Sequence, residues 1–439
     1  MTNPTIYSVI YFVVFFVFLY IYSKREKGVS TFFVFGLFAT IYYASIPMEM
    51  FYLNHFKFFN EPHILTENYV PPEILSKIII MSTLSLLGFG IGYYLVGFRT
   101  KISDMYKTGT DNKALLYLLW FFLLTMLAVV GVFYHEKLIN ISNYSGNVEI
   151  KASSPMFNFL TYQIVILLAI LEAYFILSRK INIIQALIWS SFVIAWSIYS
   201  SDKDPLLLGL LPLVLYLNRV KQFQQIKYQM ISYSLVLISI PILVIAFSEY
   251  RGFGKVTFQN VNAEKGMYKL TDARGGMRVL TTIMQDEDLE YSYGKTYLHS
   301  LVLWIPRAIW PNRPLDAPQS FARSHMKEWK PGHGLGYSPL AEAYQNFGVI
   351  GAFIQFLFFG IIWGTFWNSF RKLFANYNMY LFNSIYAVFG IYMLIMMHRG
   401  ASNTLVTTFI QTLLPFALIV FSLRLIQKIN TKTVESKTT

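Results

Sequence analysis

The stretch ALLYLLWFFLLTMLAVVGVFY, residues Ala114–Tyr134, decides the class of fold. It contains 21 consecutive residues without a charged side chain. A helix needs roughly 20 apolar residues to cross the hydrocarbon core of a bilayer. A helix that is apolar on every side has no face suited to water. The stretch therefore predicts a transmembrane helix.

Similar runs recur along the 439-residue chain, which is 55% hydrophobic and only 13% charged. So little charge is atypical of a protein with a water-exposed surface. The weakest run, Leu206–Leu217, is short and contains Pro212, so it could be a kinked helix. We expect an all-α polytopic membrane protein with about 11 transmembrane helices. The runs are Ile6–Tyr22, Thr31–Ile46, Ile74–Phe98, Ala114–Tyr134, Met156–Ser178, Ile183–Tyr199, Leu206–Leu217, Met230–Phe247, Phe347–Trp367, Tyr380–Met397 and Leu405–Leu423.

The basic residues between the runs predict the orientation. If every run crosses, the short connections and the C-terminal tail on one side contain eighteen Lys and Arg, and the other side has six when Lys77 near the start of its run is included. Positive charge in short loops stays in the cytoplasm. The N-terminus is therefore expected outside the cytoplasmic membrane and the C-terminus inside.

Three regions follow from this orientation. Residues 1–247 are expected to form an N-terminal bundle of about eight helices. Residues 248–342 are expected to form a large outer loop between the eighth and ninth helices, too long for a simple connection. Within it, the apolar and aromatic stretch Leu298–Ile309 predicts a helix on the membrane surface. Residues 343–439 are expected to supply about three further helices and a cytoplasmic tail.

Composition and motifs exclude several functions. The net charge of +13 would suggest a nucleic-acid partner in a soluble protein, but here the basic residues lie mostly in membrane connections, so none is expected. The absence of cysteine excludes a thiolate nucleophile and cysteine metal sites. There is no phosphate-binding glycine loop with its lysine, zinc-type histidine pair or serine elbow. A metal-independent protein without a cofactor is expected.

Arginines in the outer segments are candidate ligands of an anion. Arg274 and Arg278 are four residues apart and would share one face of a helix. A guanidinium group offers a fixed fork of donors suited to phosphate oxygens. Solvated charge is the alternative, and Arg399 at a helix end could extend to the lipid headgroups. The candidate pyrophosphate ligands are Arg251, Arg274, Arg278, Arg307, Arg313, Arg323 and Arg399.

A general base would have to lie on the same outer face. Glu342 is the first candidate, because it lies in the stretch Ala341–Gly348 that is expected to begin the ninth helix, although its charge could also simply stabilise the helix start. His333 and Asp204 are the second and third candidates. Aromatic side chains at this level either anchor the protein in the interface or stack on sugar rings. The candidate glycan-binding residues are Tyr337, Tyr344, Asn346 and Asn403.

At these residues the sequence resembles the O-antigen polymerase family, the Wzy-type oligosaccharide repeat-unit polymerases of bacterial envelopes. The elements that match are Pro306-Arg307 with Pro311–Pro314, the turn Gly336–Pro339, and Ala341–Tyr344 followed by Asn346–Gly348. The many-helix layout with a late outer loop also fits the family.

The resemblance implies a GT-C-like, polyprenyl-pyrophosphate-dependent glycosyltransferase in the bacterial inner membrane. It would transfer a growing glycan from its undecaprenyl pyrophosphate carrier onto the sugar end of another carrier-linked repeat unit. The reaction would occur at the periplasmic face, which places the large loop and the N-terminus in the periplasm. A chain-length regulator protein is the further partner that the resemblance implies.

Three alternatives remain open at this point. An O-antigen ligase would use the same donor but a lipid A-core acceptor; the Glu-Ala-Tyr and Asn-Phe-Gly stretches favour a polymerase. A lipid-linked oligosaccharide flippase needs a polar path through its helices, whereas the charges here lie in outer loops. A non-catalytic envelope scaffold would not require clustered arginines.

Overall fold

A computed structural model describes residues 4–25, 31–58, 69–97, 113–139, 154–200, 208–213, 271–305, 309–330, 334–374 and 379–410. Within these ranges the secondary structure is helical, with turns and isolated bridge residues, among them the pair Lys57 and Tyr69. No β-sheet forms in this part of the chain, which agrees with the predicted all-α fold.

The helices follow the apolar runs closely. The N-terminal helices are α1 Pro4–Arg25, α2 Thr31–Ala39, α3 Ser45–Tyr52, α4 Pro72–Val96, α5 Lys113–Phe133, α6 His135–Ile139, α7 Pro155–Leu177, α8 Ile183–Ser200 and α9 208–213. The later helices are α10 Thr271–Gln285, α11 Lys295–Ser300, α12 Ala317–His325, α13 Pro339–Phe374, α14 Met379–Ile385, α15 Ile391–Met396 and α16 402–410. A π-helical turn joins α2 to α3 and another joins α14 to α15.

Six helical stretches in the described residues are long and apolar enough to span a membrane. They are Pro4–Tyr22, Thr31–Tyr52, Pro72–Val96, Leu116–Phe133, Phe159–Leu177 and Pro339–Lys372, and two shorter apolar helices occur at Ile183–Trp196 and Tyr380–Met396. The chain is therefore a multi-pass membrane protein. The total of eleven helices stays a prediction, because the runs Leu206–Leu217, Met230–Phe247 and Leu405–Leu423 lie wholly or partly outside the described residues.

One predicted helix has different bounds. The surface helix expected at Leu298–Ile309 is a six-residue helix, Lys295–Ser300, followed by turns to Ile305. The carbonyl groups of Leu303 and Ile305 accept hydrogen bonds from the Arg313 guanidinium group. A carbonyl group that accepts from a side chain in this way does not point along a helix axis, so the helix does not continue through these residues. Leu298 and Leu301 are nonetheless exposed, as an apolar surface against lipid would require.

The chain divides into two compact units, each built from segments that are distant in sequence. The first takes the described parts of Met1–Ile102, Leu270–Asn368 and Met393–Ile410, and the second those of Ser103–Lys269, Ser369–Tyr392 and Gln411–Thr439. The linear boundaries expected at residues 247 and 342 stay a prediction.

Within the first unit, glycines allow α4 and α13 to pack backbone against backbone. A Cβ atom on Gly88 would lie 2.4 Å from the Phe353 carbonyl oxygen, and one on Gly92 would lie 2.2 Å from that of Leu357. From the other side, a Cβ atom on Gly360 would lie 2.5 Å from the Phe89 carbonyl oxygen. Small residues four apart are typical of close helix contacts in membranes, where dispersion forces must hold helices together. This contact fixes α13, whose first turns carry the candidate site.

Within the second unit, α7 is the central helix and contacts α5, α8 and α14. It carries a fully buried carboxyl group, Glu172, whose Oε1 accepts a hydrogen bond of 2.7 Å from the Ser190 hydroxyl of α8. A carboxyl group inside an apolar bundle needs such a partner, because an unsatisfied polar group is costly there.

Candidate functional site

The start of α13 is the framework of the candidate site. The helix begins at Pro339, where proline is favoured because its missing N–H has no partner in the first turn. The Ser338 hydroxyl accepts a hydrogen bond of 3.2 Å from the Ala341 N–H and so caps the helix. The sequence predicted a helix start within Ala341–Gly348, and the structure places it two residues before that stretch.

The helix is interrupted at Phe347 and Gly348. Gly348 has φ 62° and ψ −151°, a combination that side chains on an L-residue essentially forbid. The interruption leaves the Gln345 and Asn346 carbonyl groups available to other donors. The Ser292 N–H donates to Gln345 O at 2.9 Å and the Tyr293 N–H to Asn346 O at 3.2 Å. The kink therefore docks the segment that leads into α11 onto the start of α13.

Asn346 makes this docking specific. Its Oδ1 accepts from the Gly294 N–H at 2.8 Å, which fixes the orientation of the amide. Its Nδ2 donates to the Thr296 hydroxyl at 2.7 Å and to the Glu342 carbonyl oxygen at 2.8 Å. The side chain is fully buried. The glycan-binding role predicted for Asn346 stays a prediction, and these contacts give it a role in positioning α11.

Glu342 is buried one turn before Asn346, with no exposed surface. Its Oε2 accepts two hydrogen bonds of 2.7 Å, from the backbone N–H and the hydroxyl of Ser402. Ser402 begins α16, so the carboxylate lies where a helix N-terminus favours negative charge. Its Oε1 is buried and accepts no direct hydrogen bond from the described residues. One oxygen is therefore anchored, and the other is available to an additional donor.

A cavity of about 810 Å³ opens beside this carboxyl group. Its volume is within the range of about 300–1,000 Å³ that is usual for small-ligand sites. The wall nearest Glu342 is formed by Thr296, Tyr337 and Gln345. The other lining residues come from the end of α10, from α11, from α12 and from the connections between these helices. All of them belong to the first unit.

The lining is polar, with an excess of basic side chains. Lys295, His299, Arg323 and His325 line the cavity, against one carboxylate, Asp286. The His325 ring stacks on Phe321 with centroids 4.0 Å apart and an interplanar angle of 8°, which provides a flat apolar wall. Such a mixture of cations, hydroxyl groups and aromatic rings suits an anionic sugar derivative.

Two tyrosines near Glu342 donate hydrogen bonds to glutamines of α13; Tyr337 is buried and Tyr297 is half-buried. The Tyr337 hydroxyl donates to Gln345 Oε1, and the Tyr297 hydroxyl donates to Gln355 Oε1 at 3.0 Å. Burial raises the pKa of both phenols, and the nearby Glu342 carboxylate raises it further. Both hydroxyl groups therefore stay protonated and act as hydrogen-bond donors.

Lys295, Thr296, His299 and His325 are among the lining residues that sequence reasoning missed. Lys295 and His299 are four residues apart within α11 and both reach the cavity. That spacing is a signal in the sequence, since residues four apart share a helix face. Thr296 carried no such signal, because its importance depends on Asn346, fifty residues away.

The predicted arginines have different environments. Arg323 is exposed, lines the cavity and lies over the Trp329 ring at 5.9 Å. Arg274 donates from Nη2 to both carboxylate oxygens of Glu49, at 2.7 and 2.8 Å. Arg278 is buried on the same helix.

Two further arginines contact backbone carbonyl groups or a neighbouring side chain. Arg313 donates to the Leu303 and Ile305 carbonyl groups. Arg399 lies in the turn before α16, with Nη1 3.5 Å from the Met396 sulfur.

Of the candidate site residues, the structure brings Arg323 and Tyr337 to the cavity itself. Glu342 and Asn346 lie directly behind it, and Tyr344 packs edge-on against Tyr291 with centroids 6.3 Å apart. Asn403 follows Ser402 in α16, and its buried Oδ1 has no partner among the described residues. Four candidates lie outside the described residues: Asp204, Arg251, Arg307 and His333.

The residues that the structure describes contain no group of three or more side chains suited to hold a metal ion. The chemistry available in the cavity is that of cations, hydroxyl groups, histidines and one nearby carboxylate. Such a set can bind an anionic group, orient sugar hydroxyl groups and accept a proton.

The fold and the cavity together define a multi-pass α-helical membrane protein with a polar site beside its membrane-spanning helices. A comparison with protein families matches residues 1–430 to the family described as O-antigen polysaccharide polymerase Wzy. Because the match covers nearly the whole chain, the protein belongs to this family. The family polymerises O-antigen repeat units and acts on lipid-linked oligosaccharides. Comparisons with curated proteins and with solved structures found no match.

Proposed function

We propose that the protein transfers a growing glycan from undecaprenyl pyrophosphate onto the sugar end of a second carrier-linked repeat unit. The observation that carries the proposal is the basic cavity beside the buried carboxyl group of Glu342. A glycosyl transfer from a lipid pyrophosphate requires cations for the leaving group and a base for the acceptor. The basic side chains of the cavity and the Glu342 carboxyl group lie within the same unit. The helix that carries Glu342 continues into the membrane.

In this proposal, Arg323 binds the pyrophosphate, assisted by Lys295 and His299. The leaving group gains negative charge as its bond to the sugar breaks, so the cations stabilise the transition state more than the ground state. The remaining arginines of the predicted cluster are proposed to complete the site or to hold its walls, as Arg313 does. His299 and Tyr337 are proposed to contact the glycan; the Tyr337 hydroxyl oxygen does so as an acceptor, because its proton is donated to Gln345.

Glu342 is proposed as the general base that removes the proton from the acceptor hydroxyl group. A base must reach that proton through hydrogen-bond contact, directly or through one intermediary. Oε1 of Glu342 is buried and accepts no direct hydrogen bond from the described residues, so it is available to accept a proton. No metal ion or nucleotide sugar has a place in this scheme.

The site is proposed to face the periplasm, in the inner membrane of a bacterium, with the N-terminus on the same side. The charge asymmetry of the short connections supports this orientation. A periplasmic site suits carrier-linked units that have already crossed the membrane. A chain-length regulator is proposed to act with the polymerase.

The test is complementation of a strain from which the gene is deleted, with surface polysaccharide displayed on a gel. Loss of the long-chain ladder with one repeat unit retained supports the polymerase. Accumulation of polymer on the lipid carrier indicates a ligase instead, and failure to externalise any unit indicates a flippase.

The same strain tests the roles of Arg323 and Glu342. Arg323→Ala is expected to shorten or abolish the ladder, with Arg323→Lys restoring it in part, because a point charge lacks the bidentate fork. The matched control is Lys327→Ala, since Lys327 is exposed on the same segment and does not line the cavity. Glu342→Gln keeps the shape of the side chain without its basicity. A normal ladder from Glu342→Gln at normal protein level would remove the base role.

A further inference from the structure

The hydrogen bonds around Thr296 link the cavity to the buried carboxyl group. Thr296 lines the cavity, and its hydroxyl oxygen accepts a hydrogen bond of 2.7 Å from Asn346 Nδ2. The orientation of the amide is fixed, since Asn346 Oδ1 accepts from the Gly294 N–H. An amide NH₂ group donates and does not accept. The proton of the Thr296 hydroxyl group must therefore point elsewhere.

Oε1 of Glu342 is a buried acceptor that lacks a direct hydrogen bond, and Asn346 links Thr296 to Glu342 by donating to the Glu342 carbonyl oxygen as well. The Thr296 side chain interacts with this carboxyl group, although outside the geometry of a direct hydrogen bond. The second carboxylate oxygen is held by Ser402 and cannot turn toward the cavity without losing two hydrogen bonds. Glu342 itself does not line the cavity. A ligand in the cavity thus reaches Glu342 through Thr296.

We propose that Thr296 is a catalytic residue that relays the proton of the acceptor sugar hydroxyl to Glu342. A threonine hydroxyl has one proton and two lone pairs. One lone pair accepts from Asn346, the second accepts from the acceptor hydroxyl group, and the proton is directed to Glu342 Oε1. Both lone pairs and the proton of the hydroxyl group are then used: each lone pair faces a donor, and the proton faces an acceptor. This inference rests on the proposed function, since it assigns the path of a proton within that reaction.

In this step, the acceptor hydroxyl gives its proton to Thr296 Oγ1 while Thr296 gives its own proton to the Glu342 carboxylate. The acceptor oxygen forms a bond to the anomeric carbon of the donor sugar. The bond from that carbon to the pyrophosphate oxygen breaks, and its electron pair leaves with the pyrophosphate. Glu342 ends protonated, and Thr296 is regenerated.

The test uses the purified full-length protein and carrier-linked single repeat units extracted from the deletion strain. Chain extension is followed for Thr296→Val, which keeps the shape but removes the hydroxyl, and for Thr296→Ser, which keeps the hydroxyl. General acid–base steps contribute roughly 10²–10⁴-fold to rate. We expect kcat for Thr296→Val to fall on the order of a hundredfold with KM little changed, and Thr296→Ser to retain most of the activity.

Thr281→Val is the matched control. Thr281 is buried outside the cavity lining, and its hydroxyl donates to the Arg278 carbonyl oxygen of its own helix at 2.9 Å. Its loss should leave kcat nearly unchanged. Thr296→Ala is assayed in parallel and normalised to folded protein, so that poor folding of one variant does not decide the outcome.

Three results overturn the relay: wild-type kcat from folded Thr296→Val or Thr296→Ala, equal loss from Thr296→Ser and Thr296→Val, or equal loss from the control Thr281→Val. In each of these cases the wild-type protein still extends the chain, so the proposed function survives. Failure of the wild-type protein to extend carrier-linked units would refute the proposed function itself.

Discussion

Gly348→Ala is the substitution that tests the link between the kink of α13 and the site. With φ 62° and ψ −151°, the backbone of residue 348 lies in a region that costs a residue with a Cβ atom about 1–3 kcal/mol. The added Cβ atom would also lie 3.1 Å from the Tyr291 hydroxyl oxygen. That contact adds little, because the end of a partly exposed side chain can move.

The helix could instead straighten to avoid the strain. The Gln345 and Asn346 carbonyl groups would then return to the helix, and the hydrogen bonds from Ser292 and Tyr293 would be lost. Two backbone hydrogen bonds at about 0.5–1.5 kcal/mol each give a loss of about 1–3 kcal/mol. Backbone strain at residue 348 and straightening of the helix therefore each predict a destabilisation of about 1–3 kcal/mol.

The assay is thermal unfolding of the purified protein in detergent, with the polysaccharide ladder as the second readout. Gly131→Ala is the control, because Gly131 lies on an exposed helix face where a Cβ atom meets nothing within 4 Å. In a helix alanine is favoured over glycine by up to about 1 kcal/mol. The control should therefore match or exceed the wild-type Tm, while Gly348→Ala should fall below it and shorten the ladder. A Gly348→Ala protein as stable as Gly131→Ala would refute the reasoning.

Three further predictions follow from the contacts described. Gly92→Ala should lower Tm, since its Cβ atom would lie 2.2 Å from the Leu357 backbone oxygen and overpacking costs roughly 1–3 kcal/mol; an unchanged Tm would contradict the close helix contact. Arg313→Ala should destabilise the protein by on the order of 1 kcal/mol, because two carbonyl groups lose their donor. Lost polymer at unchanged Tm would instead favour direct pyrophosphate binding by Arg313. Cysteines placed at Lys327 and Arg371 in this cysteine-free chain should react with impermeant thiol reagents from outside and inside respectively; labelling of residue 327 from the cytoplasm would reverse the orientation.

The membrane-spanning helices that the structure describes could be predicted from the sequence alone. A run such as Ala114–Tyr134 can satisfy its backbone hydrogen bonds in lipid only within itself, so a local pattern settles the structure. The observed helix, Lys113–Phe133, differs from the predicted run by one residue at each end. The start of α13 was local as well, because the turn before it and the proline at its first position are adjacent in sequence.

The site depended on contacts between segments far apart in the chain. Glu342 is bound by Ser402, sixty residues later, and Arg274 pairs with Glu49, 225 residues earlier. Such pairings leave no local pattern, since hydrogen bonds and charges act over a few ångströms whatever the separation in sequence. Residue type identified Glu342 and Arg323 as candidates. Only the tertiary structure decided that Arg323 lines a cavity, that Arg274 neutralises a carboxylate, and that Thr296 stands between the cavity and Glu342.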